Sequence, residues 1–290
     1  MLALGMALST WLGPSVPLAP RLSAQEPAKE EAKDQPTIVP RDTANADRRK
    51  TLFTYRDGIL AAGFVGLTFA MFPADERLAK SSQREYLQTF TELDRAATSV
   101  EWITTPGAFY IGGGLYAVGR LTKRPNLADL GWHGTEAVLI SSGITGFLKG
   151  VLGRSRPYVT ADTNARDFKF GTGFTSKDRQ SFPSGHTTTA FAAASAVTSE
   201  VRRLWPKYTW YVAPVLYGGA TLVGLSRMYH DRHWASDVAL GAAIGTFSGM
   251  KVVRYSHAHP DNPVDKVMLR AIIAPDGHGG AILGFTLPAP

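Results

Sequence analysis

Apolar and polar residues divide the chain into a polar N-terminal part and a series of long apolar stretches. Six stretches rich in Ala and Gly lack the alternation of a half-buried strand, and each is longer than a typical strand. We therefore predict an all-α protein of six helices joined by charged loops. The predicted helices cover roughly residues 58–73, 102–119, 135–149, 186–200, 209–226 and 235–250.

The segments that flank this helical region differ from it in composition. Residues 1–24 are predicted to be a signal peptide or an uncleaved N-terminal anchor, because Leu2 to Leu18 is apolar and uncharged and Leu22-Ser23-Ala24 suits a cleavage site. Residues 25–50 are charged and rich in Pro, which predicts a disordered linker. The helical domain is placed at 51–256. The tail, 257–290, alternates weakly and could form a short hairpin.

Two of the apolar stretches are long enough to cross a membrane. Trp102–Gly119 and Thr209–Ser226 carry no charge and reach the length of roughly 17–25 residues that a span requires. Small residues in the same stretches would suit close helix packing, either in lipid or in a tight soluble bundle. These are Gly112, Gly113, Gly114, Gly218 and Gly219. The pattern favours a membrane-embedded bundle over a soluble one.

Charge and cysteine content narrow the chemistry. The chain has 290 residues, a formal net charge of +7 and no cysteine. A basic balance suits anionic substrates or anionic lipid surfaces, and no zinc-finger, basic-zipper or RNP-like motif indicates nucleic acid. The absence of cysteine excludes disulfides, thiolate metal sites and cysteine nucleophiles.

The first block with candidate chemistry lies at the end of the third predicted helix. Lys149 is near that end, and Arg156 precedes Pro157, which disfavours helical geometry at the arginine. Arg156 should therefore project from the turn beyond the helix. Alone, this block is also typical of a solvated helix stop.

The second block, Pro183-Ser184-Gly185-His186, opens the fourth predicted helix. Ser184 is suited to the N-cap position, and free N–H groups at a helix start bind anions. Gly185 would let a phosphate approach closely, with His186 held beside it. Taken alone, the block is better explained by an ordinary capped helix with a surface histidine.

The third block runs from Ser226-Arg227 to His233 and Asp237. The histidine and the aspartate are four residues apart, so on a helix they share one face. A carboxylate that accepts a proton from Nδ1 leaves Nε2 free to attack. The alternative is a structural pair that caps the sixth helix.

In an up-and-down bundle with short connections, all three blocks lie at one end. Together they read Lys-x6-Arg-Pro, Pro-Ser-Gly-His and Ser-Arg-x5-His-x3-Asp, which resembles the signature of the type 2 phosphatidic acid phosphatase (PAP2) family, in order and without a departure. The motifs cover roughly 135–250. The resemblance implies a six-helix bundle and metal-independent phosphate release through a histidine nucleophile, with no cofactor.

The chemistry of the blocks gives each residue a role in that reaction. The cations would clamp the phosphoryl oxygens, and a hydroxyl and a backbone N–H would add neutral donors. His233 would attack phosphorus, Asp237 would orient it, and His186 would protonate the leaving oxygen and then activate water. The phosphate-binding set is Lys149, Arg156, Ser184, Gly185 and Arg227.

Three alternatives to a lipid phosphatase remain open. A vanadium-dependent haloperoxidase shares the phosphate-binding residues, and a soluble exported bundle would suit a non-specific acid phosphatase. A non-catalytic scaffold is disfavoured by the intact His186, His233 and Asp237. A membrane-embedded site would suit phosphorylated lipids as substrates.

The flanking charges predict which side of the membrane the site faces. Basic residues beside helix ends are more frequent on the cytoplasmic side. Those on the side opposite the site are Arg48, Arg49, Lys50, Arg56, Arg120, Lys123, Arg124, Arg202, Arg203, Lys207, Lys251 and Arg254. The active site is therefore expected to be extracytoplasmic, in the membrane or, if the bundle is soluble and exported, in the periplasm.

A few residues outside the motif positions are left with open interpretations. His230 and Asp231 fall in the spacer of the third block, where they could line the entrance or lie in a solvated loop. Phe168, Phe170 and Phe174 could contact a lipid tail or anchor their loop. Four further histidines receive no function: His133 is interpreted as a loop or interfacial residue, and His257, His259 and His278 lie in polar segments.

Overall fold

The computed structural model describes residues 52–102, 104, 106–270, 272–275 and 281–284. The predicted signal peptide or anchor at 1–24 and the linker at 25–50 lie outside these residues.

The described residues form ten α-helices and one pair of short strands. The helices are α1 (Tyr55–Met71), α2 (Asp75–Ser82), α3 (Glu85–Gln88), α4 (Thr91–Trp102), α5 (Gly107–Leu121), α6 (Pro125–Leu152), α7 (Gly185–Leu204), α8 (Thr209–Tyr229), α9 (Ala235–Ala258) and α10 (Pro263–Arg270). The strands β1 (Ile272–Pro275) and β2 (Ala281–Gly284) pair antiparallel, with Ile272 opposite Gly284, in the segment where the sequence indicated a hairpin.

The predicted helical class is confirmed, and each of the six apolar stretches falls on a long helix. The count of six is too low, because α2, α3, α4 and α10 are additional helices of more polar sequence. The second stretch was predicted to start at 102, whereas α4 ends at Trp102 and α5 begins at Gly107. Pro106 lies between the two helices, and a proline restricts the residue before it to extended geometry.

The centre of the bundle is the contact between α7 and α9. Gly241, Gly245 and Gly249 repeat every four residues and so lie along one face of α9. A Cβ atom at these positions would lie 2.3–2.7 Å from the backbone oxygens of Ser184, Thr188 and Ala192 on the α7 side. The absence of side chains therefore lets the two helix backbones approach closely, as in small-residue helix pairs.

Most of the glycines predicted to pack helices do not do so. Gly112 lies against Thr135, where an added Cβ would be 2.4 Å from the hydroxyl oxygen. An added Cβ at Gly113, Gly114, Gly218 or Gly219 would meet no described atom within 4 Å. The prediction is wrong for these four because composition alone does not show which face of a helix meets a neighbour.

The loop between α6 and α7 is fixed to the end of α6 by two glycines. Gly153 has φ +58° and terminates α6, and its N–H donates to the Lys149 carbonyl at 3.2 Å. A Cβ at Gly153 would lie 1.9 Å from the Lys169 carbonyl oxygen, and one at Gly173 would lie 1.9 Å from the Lys149 carbonyl oxygen. The loop therefore folds back over the helix end, and Arg154 turns inward directly after it.

The opposite end of the bundle contains a buried polar network. Oε1 of Glu200, on α7, lies 2.6 Å from Nδ1 of His133 and 2.7 Å from Nε2 of His257. Trp132 and Asn262 both donate to the carboxylate of Asp265, which ties α10 to α6. The interpretation of His133 as a loop or interfacial residue is wrong, because it lies inside α6 with 1% of its surface exposed.

Two helical segments among the described residues are long and apolar enough to cross a membrane. They are Tyr55–Ser82 and Pro125–Leu152, each of 28 residues. Neither is one of the two stretches chosen from the sequence: α5 has only 15 residues, and α8 is not among the candidate spans of the described residues. Large apolar side chains are exposed along several helices, among them Ile59, Phe69, Ile111, Phe147 and Val215.

Candidate active site

The three motif blocks meet at one end of the bundle, as their order in an up-and-down arrangement predicts. The end of α6 and the start of α7 meet the end of α8 and the start of α9. The N–H of Ser184 donates to the Asp237 carbonyl at 3.0 Å, which joins the second block to the third. Lys149 lies within electrostatic range of Arg156, Arg227 and Asp237, which joins the first block to both.

The pair of His233 and Asp237 lies at the base of this site. His233 is 3% exposed and Asp237 is fully buried. The His233 Nδ1 atom is 3.4 Å from Oδ2 of Asp237, but it is not aligned to form a hydrogen bond. Catalytic contacts of this kind are often loose before the substrate binds. Burial lowers the pKa of His233 to about 3 despite the neighbouring carboxylate, so the ring is neutral at physiological pH.

The Asp237 carboxylate accepts bonds from several elements. Oδ2 accepts from the Ser181 hydroxyl at 2.5 Å and from the Trp234 N–H at 2.9 Å. Oδ1 is bound by Nη1 of Arg154 at 2.5 Å. These bonds from three different elements therefore hold the carboxylate in one orientation.

Arg154 is a buried cation with a complete set of partners. Its guanidinium is fully enclosed and lies 4.9–5.5 Å from the ring centroids of Phe72, Phe168, Phe182 and Trp234. Nη2 donates to Oδ2 of Asp75 at 2.7 Å, while Nε and Nη2 both donate to the Ala165 carbonyl. Of the three phenylalanines in this loop, Phe168 anchors the loop, whereas Phe170 and Phe174 are exposed.

The start of α7 offers room for an anion. Ser184 occupies the N-cap position without a side-chain capping bond, and Gly185 is the first helical residue. A Cβ atom at Gly185 would lie 3.8 Å from Nζ of Lys149. The Lys149 ammonium donates to the Gln180 carbonyl at 2.8 Å. A helix N-terminus with a cation beside it favours negative charge.

A cavity of about 880 Å³ lies beside these residues. Arg156, His186 and Arg227 line its wall, so three motif residues share one cavity. Arg227 is not unpaired: its Nη1 forms an ion pair with Glu101 of α4. Glu101 also lies 2.7 Å from Nδ1 of His230, and Nε2 of the same ring lies 3.2 Å from Asp94.

The rim of the cavity carries the two spacer residues that were left open. His230 and Asp231 both line the entrance. The Asp231 carboxyl group is within hydrogen-bonding reach of that of Asp162, and burial together with this neighbour raises the pKa of Asp231 to about 7. The solvated-loop interpretation does not fit these contacts.

Three residues of this site were not singled out from the sequence. Arg154 lies in the variable spacer of the first block, and Asp75 and Glu101 precede all three blocks. Each is bonded to a residue far away in the sequence. Asp75 and Arg154 are 79 positions apart, Arg154 and Asp237 are 83 apart, and Glu101 and His230 are 129 apart. Of these three residues, only Asp75 could have been suspected from the sequence, because it is an acidic residue at the end of an apolar stretch.

Comparison with known proteins places the motif blocks in a family. Residues 131–260 match the PAP2 superfamily. A segment of 69 residues is 46% identical to a lipid A 1-phosphatase of Porphyromonas gingivalis, and it covers 24% of this chain and 15% of that protein.

Two solved structures are similar to the chain at lower identity. The transmembrane PAP2-type phosphatidylglycerolphosphate phosphatase of Bacillus subtilis is 20% identical, with a TM-score of 0.48, over 70% of this chain and 97% of that one. LpxE of Aquifex aeolicus is 21% identical, with a TM-score of 0.45, over 63% of this chain and 96% of that one. The region that matches the PAP2 superfamily contains all three motif blocks.

Proposed function

We propose that the protein is a phosphatase that hydrolyses phosphate monoesters or pyrophosphates, most readily those of lipids, through a phosphohistidine intermediate and without a metal ion. The observation that carries this proposal is a buried, neutral His233 next to Asp237, where the three motif blocks meet beside a cavity that Arg156, His186 and Arg227 line. Binding of phosphate alone would not require a buried imidazole with a carboxylate partner.

The first half-reaction transfers the phosphoryl group to the protein. Lys149, Arg156 and Arg227 bind the phosphoryl oxygens, and the Gly185 N–H adds a neutral donor. Nε2 of His233 attacks phosphorus in line while the bond to the leaving oxygen breaks. In the free protein burial and the nearby Arg227 lower the pKa of His186 to about 4. The negative charge of the bound phosphate favours the protonated ring, so His186 gives its proton to the leaving oxygen and the alcohol leaves uncharged.

The second half-reaction releases inorganic phosphate. His186, now without its proton, takes one from a water molecule, and the hydroxide formed attacks the phosphohistidine. The bond between Nε2 and phosphorus breaks, and the ring returns to its starting form. Asp237 stabilises the positive charge that the His233 ring carries during both steps.

A lipid substrate is supported by the surface of the bundle and by the family. Two helical segments reach spanning length, and large apolar side chains are exposed on α1, α5, α6 and α8. A relative that shares 46% identity over 69 residues is named as a phosphatase of lipid A. We place the protein in the cell membrane with an extracytoplasmic site, and an exported soluble acid phosphatase is the alternative that fractionation would reveal.

The direct test is to trap the intermediate. The detergent-solubilised protein is mixed with ³²P-labelled short-chain phosphatidic acid, quenched, and examined for acid-labile, base-stable phosphate. His233→Ala should lose at least about a thousandfold in kcat and all of the trapped label, because the side chain makes the covalent bond. His259→Ala, a half-buried histidine just after the C-terminal end of α9 whose ring contacts Tyr255, is the matched control and should match the parent.

Four further outcomes distinguish the proposed phosphatase from its alternatives. Full activity in excess EDTA and inhibition by vanadate support the metal-free clamp, since vanadate mimics the trigonal transition state. Label on a residue other than His233 contradicts the assigned nucleophile. Bromide oxidation with vanadate and peroxide, without phosphate release, would replace the phosphatase by a haloperoxidase.

A further inference from the structure

The buried pair Arg154 and Asp75 is the largest charged feature of the site that the proposed reaction does not use. Arg154 has five N–H groups, and the structure shows five bonds from them. Nη1 donates to Ser236 Oγ and Asp237 Oδ1, whereas Nη2 donates to Asp75 Oδ2. The planar guanidinium of Arg154 therefore bridges the carboxylates of Asp237 and Asp75, with one terminal nitrogen bonded to each.

Asp75 is as fully enclosed as its partner. It lies at the first position of α2, and its Oδ1 accepts from the Ser236 N–H at 2.8 Å while Oδ2 accepts from the Ser236 hydroxyl at 2.6 Å. Asp75 thus fixes the first turn of α9, the turn that carries Asp237. It also lies outside residues 131–260, the region that matches the family.

The charges of the three groups give this arrangement a chemical consequence. Arg154 alone beside Asp237 would cancel the negative charge that His233 needs when its ring becomes positive. Asp75 supplies a second negative charge, so the set of Asp75, Arg154 and Asp237 has a net charge of −1. In a buried site such charges are only weakly screened by solvent. Asp237 is then both fixed in orientation and still effective as an anion.

We propose that Arg154 and Asp75 are positioning residues that set the orientation and the effective charge of Asp237, and through it the reactivity of His233. This inference rests on the proposed phosphatase function, but the geometry that it describes can be measured without turnover. The N–H groups of Arg154 and both carboxylate oxygens of Asp75 are already bonded to protein partners, so neither side chain should contribute to phosphate binding.

The test uses Asp75→Asn, which keeps the shape and an acceptor oxygen but removes the charge. We expect kcat for short-chain phosphatidic acid to fall about ten- to a hundredfold, with KM and the inhibition constant of vanadate within about twofold of the parent. Arg154→Lys should lose more of kcat, because an ammonium has three donors and no planar fork. Glu76→Gln is the matched control, since Glu76 is next in sequence and accepts only from the Ala165 N–H.

A spectroscopic measurement keeps the inference testable if the parent proves inactive. Selective ¹⁵N-histidine labelling reports the His233 tautomer and the strength of its contact with Asp237. Asp75→Asn should shift the Nδ1 resonance of His233, and Glu76→Gln should not. If the parent protein has no phosphatase activity but Asp75→Asn shows this shift, the proposed phosphatase function is refuted and the positioning role is retained.

Two results would overturn the positioning role. In one, kcat and the Nδ1 resonance of Asp75→Asn equal those of the parent. In the other, kcat, vanadate affinity and thermal stability fall together, which would show a purely structural contribution of the buried pair.

Discussion

At the scale of single residues, Gly185 is a position where the requirements of the fold and those of the proposed anion site differ. A Cβ added there would lie 3.7 Å from Cε and 3.8 Å from Nζ of Lys149, which is ordinary van der Waals contact. The fold itself therefore does not require glycine at this position. The free space beside Gly185 is bordered by the Lys149 ammonium.

We predict that Gly185→Ala folds normally but binds phosphate poorly. The methyl group would occupy the position where a phosphoryl oxygen approaches the N–H groups of α7. The inhibition constant of vanadate should rise at least about tenfold, in proportion to the loss of kcat/KM. Parent-like vanadate affinity in this variant would show that the anion binds elsewhere.

A second prediction concerns the carboxyl group of Asp231. Its pKa is raised from 3.8 to about 7 in the folded protein by burial and by Asp162. The folded state therefore binds more protons than the unfolded state between roughly pH 4 and 7, and stability falls as the pH rises through that window. Above pH 7 the Asp231 carboxyl group is ionised in both states, and the full cost of burying its charge lowers the free energy of unfolding.

Asp231→Asn should remove this cost, since asparagine tolerates the φ of +56° at this position. The gain in melting temperature should be larger at pH 8 than at pH 5. Asp162→Asn should give a gain in the same direction but smaller, because burial is the larger cause of the shift. Equal gains at both pH values for Asp231→Asn would contradict the assignment.

At the scale of elements, the contact of α7 with α9 determines where the second and third blocks meet. Gly245 lies where a Cβ would be 2.3 Å from the Thr188 carbonyl oxygen and 2.8 Å from the Ala192 nitrogen. Both are backbone atoms, so a side chain can be accepted only if the helices separate. Separation would also displace Asp237 relative to Ser184.

Gly245→Ala should therefore destabilise the protein by about 1–3 kcal/mol, the usual range for an overpacked contact. Gly218→Ala is the control on α8, where no described atom lies within 4 Å of the added carbon. The control should be neutral or more stable by up to about 1 kcal/mol, because alanine has the higher helix propensity. Thermal unfolding in one detergent compares the two, and a neutral Gly245→Ala would refute the close approach.

The motif blocks could be predicted from the sequence because their spacing coincides with helix ends. Lys149, Ser184 and His233 each lie within three residues of a helix terminus, where an alternating bundle brings them together. Asp75, Arg154 and Glu101 could not be predicted in the same way. Their functions depend on partners from distant elements, and a charged residue beside an apolar stretch is most often solvated.

At the scale of the whole molecule, the distribution of basic residues predicts how the bundle is oriented. The helix ends opposite the active site carry basic clusters that include Arg120, Lys123 and Arg124, and Arg202 and Arg203. Short basic flanks of this kind are retained in the cytoplasm. The site should then face the other side of the membrane.

A reporter fused after Lys177, in the loop between α6 and α7, tests this orientation. Alkaline phosphatase should be active there, because it folds only outside the cytoplasm. The same reporter fused after Lys123 is the matched control and should be inactive. Fluorescence of a cytoplasm-only reporter at Lys177 would place the active site inside the cell.

The ion pair of Glu101 with Arg227 has a consequence for how the site discriminates among anions. A phosphate that binds Arg227, as we propose, would not meet a vacant guanidinium but would have to displace the Glu101 carboxylate, which also contacts His230. A monoester phosphate with two negative charges competes well in such an exchange, whereas a diester with one charge only matches the resident carboxylate. Membrane lipids are mostly diesters, so Glu101 would keep the abundant surrounding lipids from occupying Arg227 and leave it to the rarer terminal phosphates.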